Sequence, residues 1–162
     1  MIGFRSLKDG EGLHFPSCRE EETLLLGRRI GKHLREGHIL CMFGRLGSGK
    51  TLMARGISEG ARGTSKHVRS PTFTFINQYP GPFTIYHVDL YRIGSLKEIV
   101  DIGLEELLSP NSMIKTGAIL IEWAERLEDS IPGERINIHI QVETSKTRNI
   151  WMQAFGKTHR SL

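Results

Sequence analysis

The chain has 162 residues, with 22 lysines and arginines against 18 aspartates and glutamates, a net charge of +4 with histidine neutral. Its charged and hydrophobic fractions, 25% and 38%, are ordinary for a soluble globular protein. Cys18 and Cys41 form no C-x-x-C pair, which argues against a disulfide framework or a zinc site. No stretch reaches the roughly eighteen apolar residues a bilayer crossing takes, and Met1 to Asp9 has no apolar signal-peptide region, so the cytoplasm is the expected location. The length suits one domain over residues 1–162, burying roughly 70% of its unfolded surface. The mild basicity could aid approach to RNA or an acidic protein, and is also what a soluble lysine- and arginine-rich surface gives.

Residues 1–11 lack periodicity and are expected to form a poorly tied-down extension. Leu13-His14-Phe15 reads as a short strand. Ser17-Cys18-Arg19-Glu20 matches a capping box and predicts a helix from Cys18. Thr23, Leu26, Ile30 and Leu34 recur at three- and four-residue spacing, one face to bury, and Gly37 is the expected terminator. Ile39-Leu40-Cys41-Met42-Phe43 is an apolar run typical of a buried parallel strand.

The next eight residues, Gly44-Arg45-Leu46-Gly47-Ser48-Gly49-Lys50-Thr51, fit the phosphate-loop pattern G-x-x-x-x-G-K-[ST]. Glycines allow positive φ and close backbone approach to an anion. The curled loop turns its N–H groups inward, and the helix opening at its end adds a positive dipole. Lys50 supplies a mobile charge for β- and γ-phosphates, and the Thr51 hydroxyl suits a magnesium ion. Leu52 to Ile57 reads as the helix that should follow. A strand, this loop and a helix in succession point to a bound nucleoside triphosphate.

Residues 60–67 are glycine-rich and basic, and read as a mobile connection. Phe73, Phe75 and Ile76 lead into Tyr79, Pro80-Gly81-Pro82 turns, and Phe83 to Asp89 runs back as an antiparallel hairpin. Ser95 caps a short helix from Leu96 to about Ile102 that Gly103 stops, and Leu104 to Leu108 makes another helical turn. Ala118-Ile119-Leu120-Ile121-Glu122 is a second apolar run ending in a carboxylate, the pattern of the strand that lies beside the phosphate-loop strand and turns its acid to the magnesium. Ile136, Ile138, Ile140 and Val142, then Ile150, Met152 and Ala154, alternate with polar residues as a terminal hairpin around Thr144-Ser145-Lys146. Residues 156–162 read as a basic tail. The architecture expected is an α/β, P-loop NTPase-like mixed sheet with a parallel core, flanking helices and antiparallel hairpin additions.

Three further groups could carry chemistry. His87, Asp89 and Tyr91 share a face if their strand continues that far. A carboxylate there could hold magnesium or order a water, and Arg92 could meet phosphate, or the group is simply a strand end with an ion pair. Ser70 and Thr72 flank Pro71, which stiffens the segment. They could report on a γ-phosphate or form an ordinary strand entry. Trp123 could wall the nucleotide site or fill the core.

The blocks Glu21-Glu22-Thr23, the phosphate loop, Ser70-Pro71-Thr72-Phe73, His87-Val88-Asp89-Leu90-Tyr91-Arg92 and Leu120-Ile121-Glu122-Trp123 resemble, in order and spacing, the TsaE family, formerly YjeE. The resemblance runs from about Ser17 to Phe155. It implies an ATPase needed for threonylcarbamoyladenosine modification of tRNA. Such a protein acts with TsaB and TsaD, downstream of TsaC, and its ATP hydrolysis supports turnover of the complex, so tRNA is met indirectly and no membrane is involved. By position, Thr51 and Glu122 look like magnesium ligands and Asp89 like the catalytic acid near the metal. Lys50 joins Asp89 and Glu122 as catalytic. Leu46, Gly47, Ser48, Gly49, Lys50 and Thr51 look like the ATP cradle, Thr23 like a residue near the base, and Ser70 and Thr72 like a switch. Gln78 departs from a common acid, and Ala124 from a frequent proline. The rival enzyme is a small P-loop kinase using Arg62, Arg69 and Arg92 as a phosphate clamp. No Asn-Lys-x-Asp segment supports a GTPase, and no aromatic-rich strand supports a non-catalytic RNA-binding module.

Overall fold

A computed structural model of the chain describes residues 12–62, 68–109 and 116–156. In chain order the elements are β1 (Gly12–Cys18), α1 (Glu20–His33), β2 (Ile39–Phe43), α2 (Lys50–Arg62), β3 (Ile76–Tyr79), β4 (Thr84–Asp89), α3 (Leu96–Asp101), α4 (Leu104–Leu108), β5 (Gly117–Glu122), a 3-10 segment (Ala124–Ser130), β6 (Arg135–Val142) and β7 (Arg148–Phe155). The strands form a seven-stranded sheet in the order β1-β7-β6-β2-β5-β4-β3. β6, β2, β5 and β4 are mutually parallel, and β7, β1 and β3 add antiparallel edges. This is the parallel core with hairpin additions that the alternation of patterns predicts. β2 and β5 run side by side with Met42 opposite Glu122, and β4 continues the register with Asp89 opposite Glu122. Two strand-end acids and the phosphate loop therefore open at one edge of the sheet.

One apolar layer lies between the sheet and the α1–α2 pair, built on Leu26, Ile30, Met53, Ile57, Ile138 and Ile150. A second, around Val88, Leu90, Ile99, Leu104, Ile121 and Leu127, seats α3, α4 and the 3-10 segment on the other face. The contact between α1 and α2 is made of backbone. A Cβ on Gly27 would lie 3.0 Å from the Cα of Gly56, one on Gly31 2.1 Å from the Ile57 carbonyl oxygen, and one on Gly60 2.1 Å from the Arg28 carbonyl oxygen. Only glycine permits that approach.

Several boundaries differ from the sequence reading. Ser17 and Cys18 belong to β1, whose ladder with β7 extends to the Cys18–Arg148 pair, so α1 starts at Glu20. The ladder outcompetes the capping box. The reciprocal bond comes from Arg19, whose N–H donates to the Glu22 carboxylate at 2.7 Å. At the other end the helix stops at His33, and Leu34 is already extended. Gly37, at φ +80°, serves the turn into β2, where its N–H donates to the Gly117 carbonyl at 2.7 Å. Gly60, Ala61 and Arg62 lie in α2 and not in a connection, because Gly60 is needed against α1; residues 63–67 are outside the described residues. Phe73 and Phe75 are not in β3. The N–H groups of Thr74 and Phe75 both donate to the Pro71 carbonyl, at 3.0 and 2.6 Å, making a turn that leaves Phe73 83% exposed. The extension expected at 1–11 and the tail beyond Gly156 are also outside the described residues. Among the described residues no helix is long and apolar enough to cross a membrane.

Candidate functional site

The phosphate loop leaves β2 at Gly44 and enters α2 at Lys50. Gly44, Gly47 and Gly49 have φ of +146°, +75° and +106°, the freedom the motif predicts for them. At Gly44 a Cβ would also meet the Ile140 carbonyl oxygen at 2.4 Å. The Lys50 ammonium donates to the carbonyl oxygens of Gly44 and Arg45, at 2.6 and 3.1 Å, and sits 3.7 Å from the centroid of the Trp123 ring. Burial lowers the Lys50 pKa, while Glu122, Glu125 and Asp89 act in the opposite direction.

Opposite the lysine, Glu122 ends β5 and is 2% exposed. One carboxylate oxygen accepts the Thr51 hydroxyl at 2.8 Å, and the other lies 2.8 Å from Nε2 of the fully buried His87. Asp89 ends β4. Its Oδ2 accepts the hydroxyls of Ser70 at 3.0 Å and Thr72 at 2.5 Å, and its Oδ1 accepts the Tyr91 N–H at 2.9 Å. A carboxylate that accepts several bonds is well held and electrically compensated.

Leu46, Gly47, Ser48, Gly49, Lys50 and Thr51 from the loop, together with Thr72, Asp89, Tyr91, Glu122 and Trp123, line one cavity of about 310 Å³. The residues singled out from sequence for catalysis and metal thus come together. Ser70 reaches the group through Asp89. Thr23 does not line this cavity: it is fully buried in α1, where its hydroxyl donates to the Arg19 carbonyl at 2.9 Å. Tyr91 lies past the end of β4, yet reaches the site by packing on Trp123, ring centroids 5.1 Å apart. Trp123 itself takes φ +59° and walls the cavity while packing against the second apolar layer.

The arginines of a kinase-like clamp do not converge. Arg62 bonds the Pro80 carbonyl, the Arg69 N–H donates to the Tyr79 hydroxyl, and Arg92 lies over the Phe73 ring. Two residues have roles the pattern did not reveal. His87, which period-two spacing sets on the face of Asp89, backs Glu122, a partner the spacing does not name. Arg148 is 5% exposed and its Nε donates to the Ser48 carbonyl at 3.1 Å, beneath the loop. No local pattern marks Arg148, since it arrives from β7, a hundred residues away in sequence.

The model of the family described as threonylcarbamoyl adenosine biosynthesis protein TsaE matches residues 17–150. The chain belongs to the TsaE family. Among relatives, the tRNA threonylcarbamoyladenosine biosynthesis protein TsaE of Treponema pallidum is 35% identical over 130 residues, 80% of this chain and 92% of the relative. Its counterpart in Bacillus subtilis is 34% identical over 151 residues, 93% of this chain and 90% of the relative. The crystal structure of Bacillus subtilis YdiB superposes with a TM-score of 0.73 at 28% identity, covering 94% of this chain and 92% of that one. TsaE membership implies nucleotide binding, and the phosphate loop is where this chain's residues fit it.

Proposed function

We propose that this TsaE-family protein binds ATP with magnesium and hydrolyses it in support of tRNA threonylcarbamoyladenosine synthesis, acting in the cytoplasm with TsaB and TsaD. The observation that carries the reading is the convergence of Lys50, Thr51, Asp89 and Glu122 on one cavity at the phosphate loop. The residues fit the nucleotide: glycines curl the loop, and buried Ser48 Oγ and Arg148 Nη1 beside it have no hydrogen-bond partner among the described residues. They fit the metal as well. Thr51, Glu122 and Asp89 offer hard oxygen donors at that cavity. Magnesium is typically held by one or two carboxylates together with substrate phosphates and water.

Bound magnesium would neutralise charge on the phosphates during transfer. The chain's own residues do the rest. Lys50 exchanges its loop carbonyls for β- and γ-phosphate oxygens, and Thr51 and Glu122 would hold the metal, with His87 fixing the Glu122 carboxylate. In this reading Asp89 accepts a proton from, or orients, an attacking water. Trp123 and Tyr91 shield the lysine side of the cavity, which strengthens charge interactions there.

Among the described residues no arginine lines the cavity as a self-contained finger. Free chain is therefore expected to bind ATP and turn it over slowly, with partners completing the site. Steady-state phosphate release, measured alone and with the TsaB–TsaD pair and blanked with Asp89→Asn, tests this. A full rate in isolation, indifferent to the partners, would contradict it. Phosphate transfer to a small molecule in preference to water would favour the kinase reading.

A further inference from the structure

The sheet carries a second feature, which meets the nucleotide site only at Gly44 and Arg45 of the phosphate loop. Along β6 and β7 the aliphatic residues Ile138, Ile140, Ile150 and Met152 are buried under α1 and α2, so the alternate residues His139, Gln141, Asn149 and Trp151 point to the opposite face. There, His14 of β1 is paired with Trp151 of β7, Trp151 with His139 of β6, and His139 with Phe43 of β2. Four rings, one from each of four adjacent strands, thus stand in a single row across the sheet. His14 and Trp151 stack with centroids 4.9 Å apart and planes 6° apart, and Phe43 and His139 at 4.5 Å and 12°. Trp151, His139 and Phe43 line a cavity of about 570 Å³ with Gln141 and the loop residue Arg45.

The composition of this face narrows its ligand. His14, His139, Gln141 and Trp151 are all exposed, an aromatic row that a monomer's core does not use. The outward positions of β6 and β7, from Arg135 through Asn137, His139 and Gln141 and from Asn149 through Trp151, Gln153 and Phe155, contain no carboxylate, although 18 of the 162 residues are acidic. Burial against its neighbours lowers the His139 pKa, with Glu125 acting the other way. Flat rings for stacking, amides that both donate and accept and an arginine at the rim are what unpaired nucleobases on a phosphate backbone require. Ile140 and Val142 also line the cavity, so the preference for a nucleic acid over a protein rests on the ring row and its flanking amides.

We propose that the exposed face of β1, β7, β6 and β2 binds a single-stranded segment of RNA, with bases stacking along the Trp151–His139 row, Gln141 reading base edges, and Arg45 meeting phosphate. This goes beyond the ATPase reading and rests on it only for the choice of RNA over DNA. It also explains why no strand looks RNA-binding in sequence: each contributes one ring, and only the sheet register assembles them.

The test is fluorescence anisotropy of a short, labelled, unstructured RNA oligonucleotide with the full chain at fixed low salt, since salt alone shifts such affinities. Trp151→Leu is expected to weaken binding by about tenfold or more, as loss of a base–aromatic stack does, and Trp151→Phe to restore most of it. Gln141→Glu, an exposed change that the fold tolerates, should weaken it too by adding negative charge to the face. RNA should quench Trp151 fluorescence in a Trp123→Phe background. ATP turnover of the Trp151 and Gln141 variants should stay at the wild-type rate, which separates this face from the nucleotide site. Equal RNA affinity in Trp151→Leu, Gln141→Glu and wild type would overturn the proposal, as would no RNA binding by wild type. Tighter binding of the matching DNA would overturn the choice of RNA. Self-association, or partner-stimulated turnover, that is lost in Trp151→Leu without any RNA binding would assign the face to protein instead.

Discussion

Replacing Asp89 with asparagine separates two jobs of one side chain. Asp89 is 3% exposed, and its Oδ2 accepts from Ser70 and Thr72 while Oδ1 accepts the Tyr91 N–H. An asparagine oxygen can keep the Tyr91 bond. The Ser70 and Thr72 hydroxyls would then face an NH₂ group and must turn to accept from it, trading bonds to a charged acceptor for neutral ones. A bond to a charged group contributes about 1.5–3 kcal/mol and a neutral one about 1, so two such trades lose roughly 2 kcal/mol. For a chain of this length that corresponds to a fall in Tm of about 4–8 °C. Calorimetry of Asp89→Asn reads the tether, and single-turnover hydrolysis with a separate nucleotide-binding titration reads the chemistry. Expected are a lowered Tm, ATP still bound and hydrolysis nearly abolished. The double variant Ser70→Ala/Thr72→Val, which removes both bonds outright, should lower the Tm at least as much without abolishing hydrolysis of bound ATP. An unchanged Tm in Asp89→Asn would refute the tether argument, and undiminished hydrolysis would refute the role of Asp89 as the acid.

Lys50→Ala should weaken ATP binding about tenfold or somewhat more, because a charge-assisted contact of roughly 1.5–3 kcal/mol is partly offset by the loop bonds Lys50 gives up; equilibrium titration with unchanged affinity would sink the phosphate-loop assignment. Glu122→Gln is nearly isosteric, so circular dichroism should stay native while magnesium-dependent turnover is lost; turnover at the wild-type level would remove Glu122 from the metal site. Gly31→Ala puts a methyl 2.1 Å from the Ile57 carbonyl oxygen and is expected to destabilise by about 1–3 kcal/mol, the range for overpacking. Denaturant melts showing an unaltered midpoint would mean that α1 and α2 separate easily.

The parts of the site that are contiguous in sequence were legible in it. The phosphate loop, the acid ending β5 and the acid ending β4 each follow an apolar strand, and parallel pairing of those strands is enough to bring Lys50, Glu122 and Asp89 to one edge. What was not legible depends on contacts across the fold. Arg148 reaches the loop from the last strand, and the four-ring row exists only once the register of β1, β7, β6 and β2 is set. Local signals also lost to tertiary ones. The Ser17 capping box yielded to the β1–β7 ladder, and Gly60, which reads as loop punctuation, is a helix residue chosen for its contact with Arg28. Phe75 looked like a strand residue, yet it takes φ +61° in the turn that delivers Thr72 to Asp89.

The glycine contact between α1 and α2 has a mechanical consequence. Helices that meet through side chains can absorb a small displacement by changing rotamers, whereas backbones in contact have no such slack. α2, which begins at Lys50, can shift only if α1 shifts with it, so the phosphate-loop wall of the cavity behaves as a fixed jaw. The facing wall is built differently. It hangs from the turn after Pro71 and from two hydroxyls on one carboxylate, bonds that open at far lower free energy than the core does. Any opening of the cavity is therefore expected on the Ser70–Phe75 side, since one jaw is held by glycine contacts and the other by hydroxyl groups.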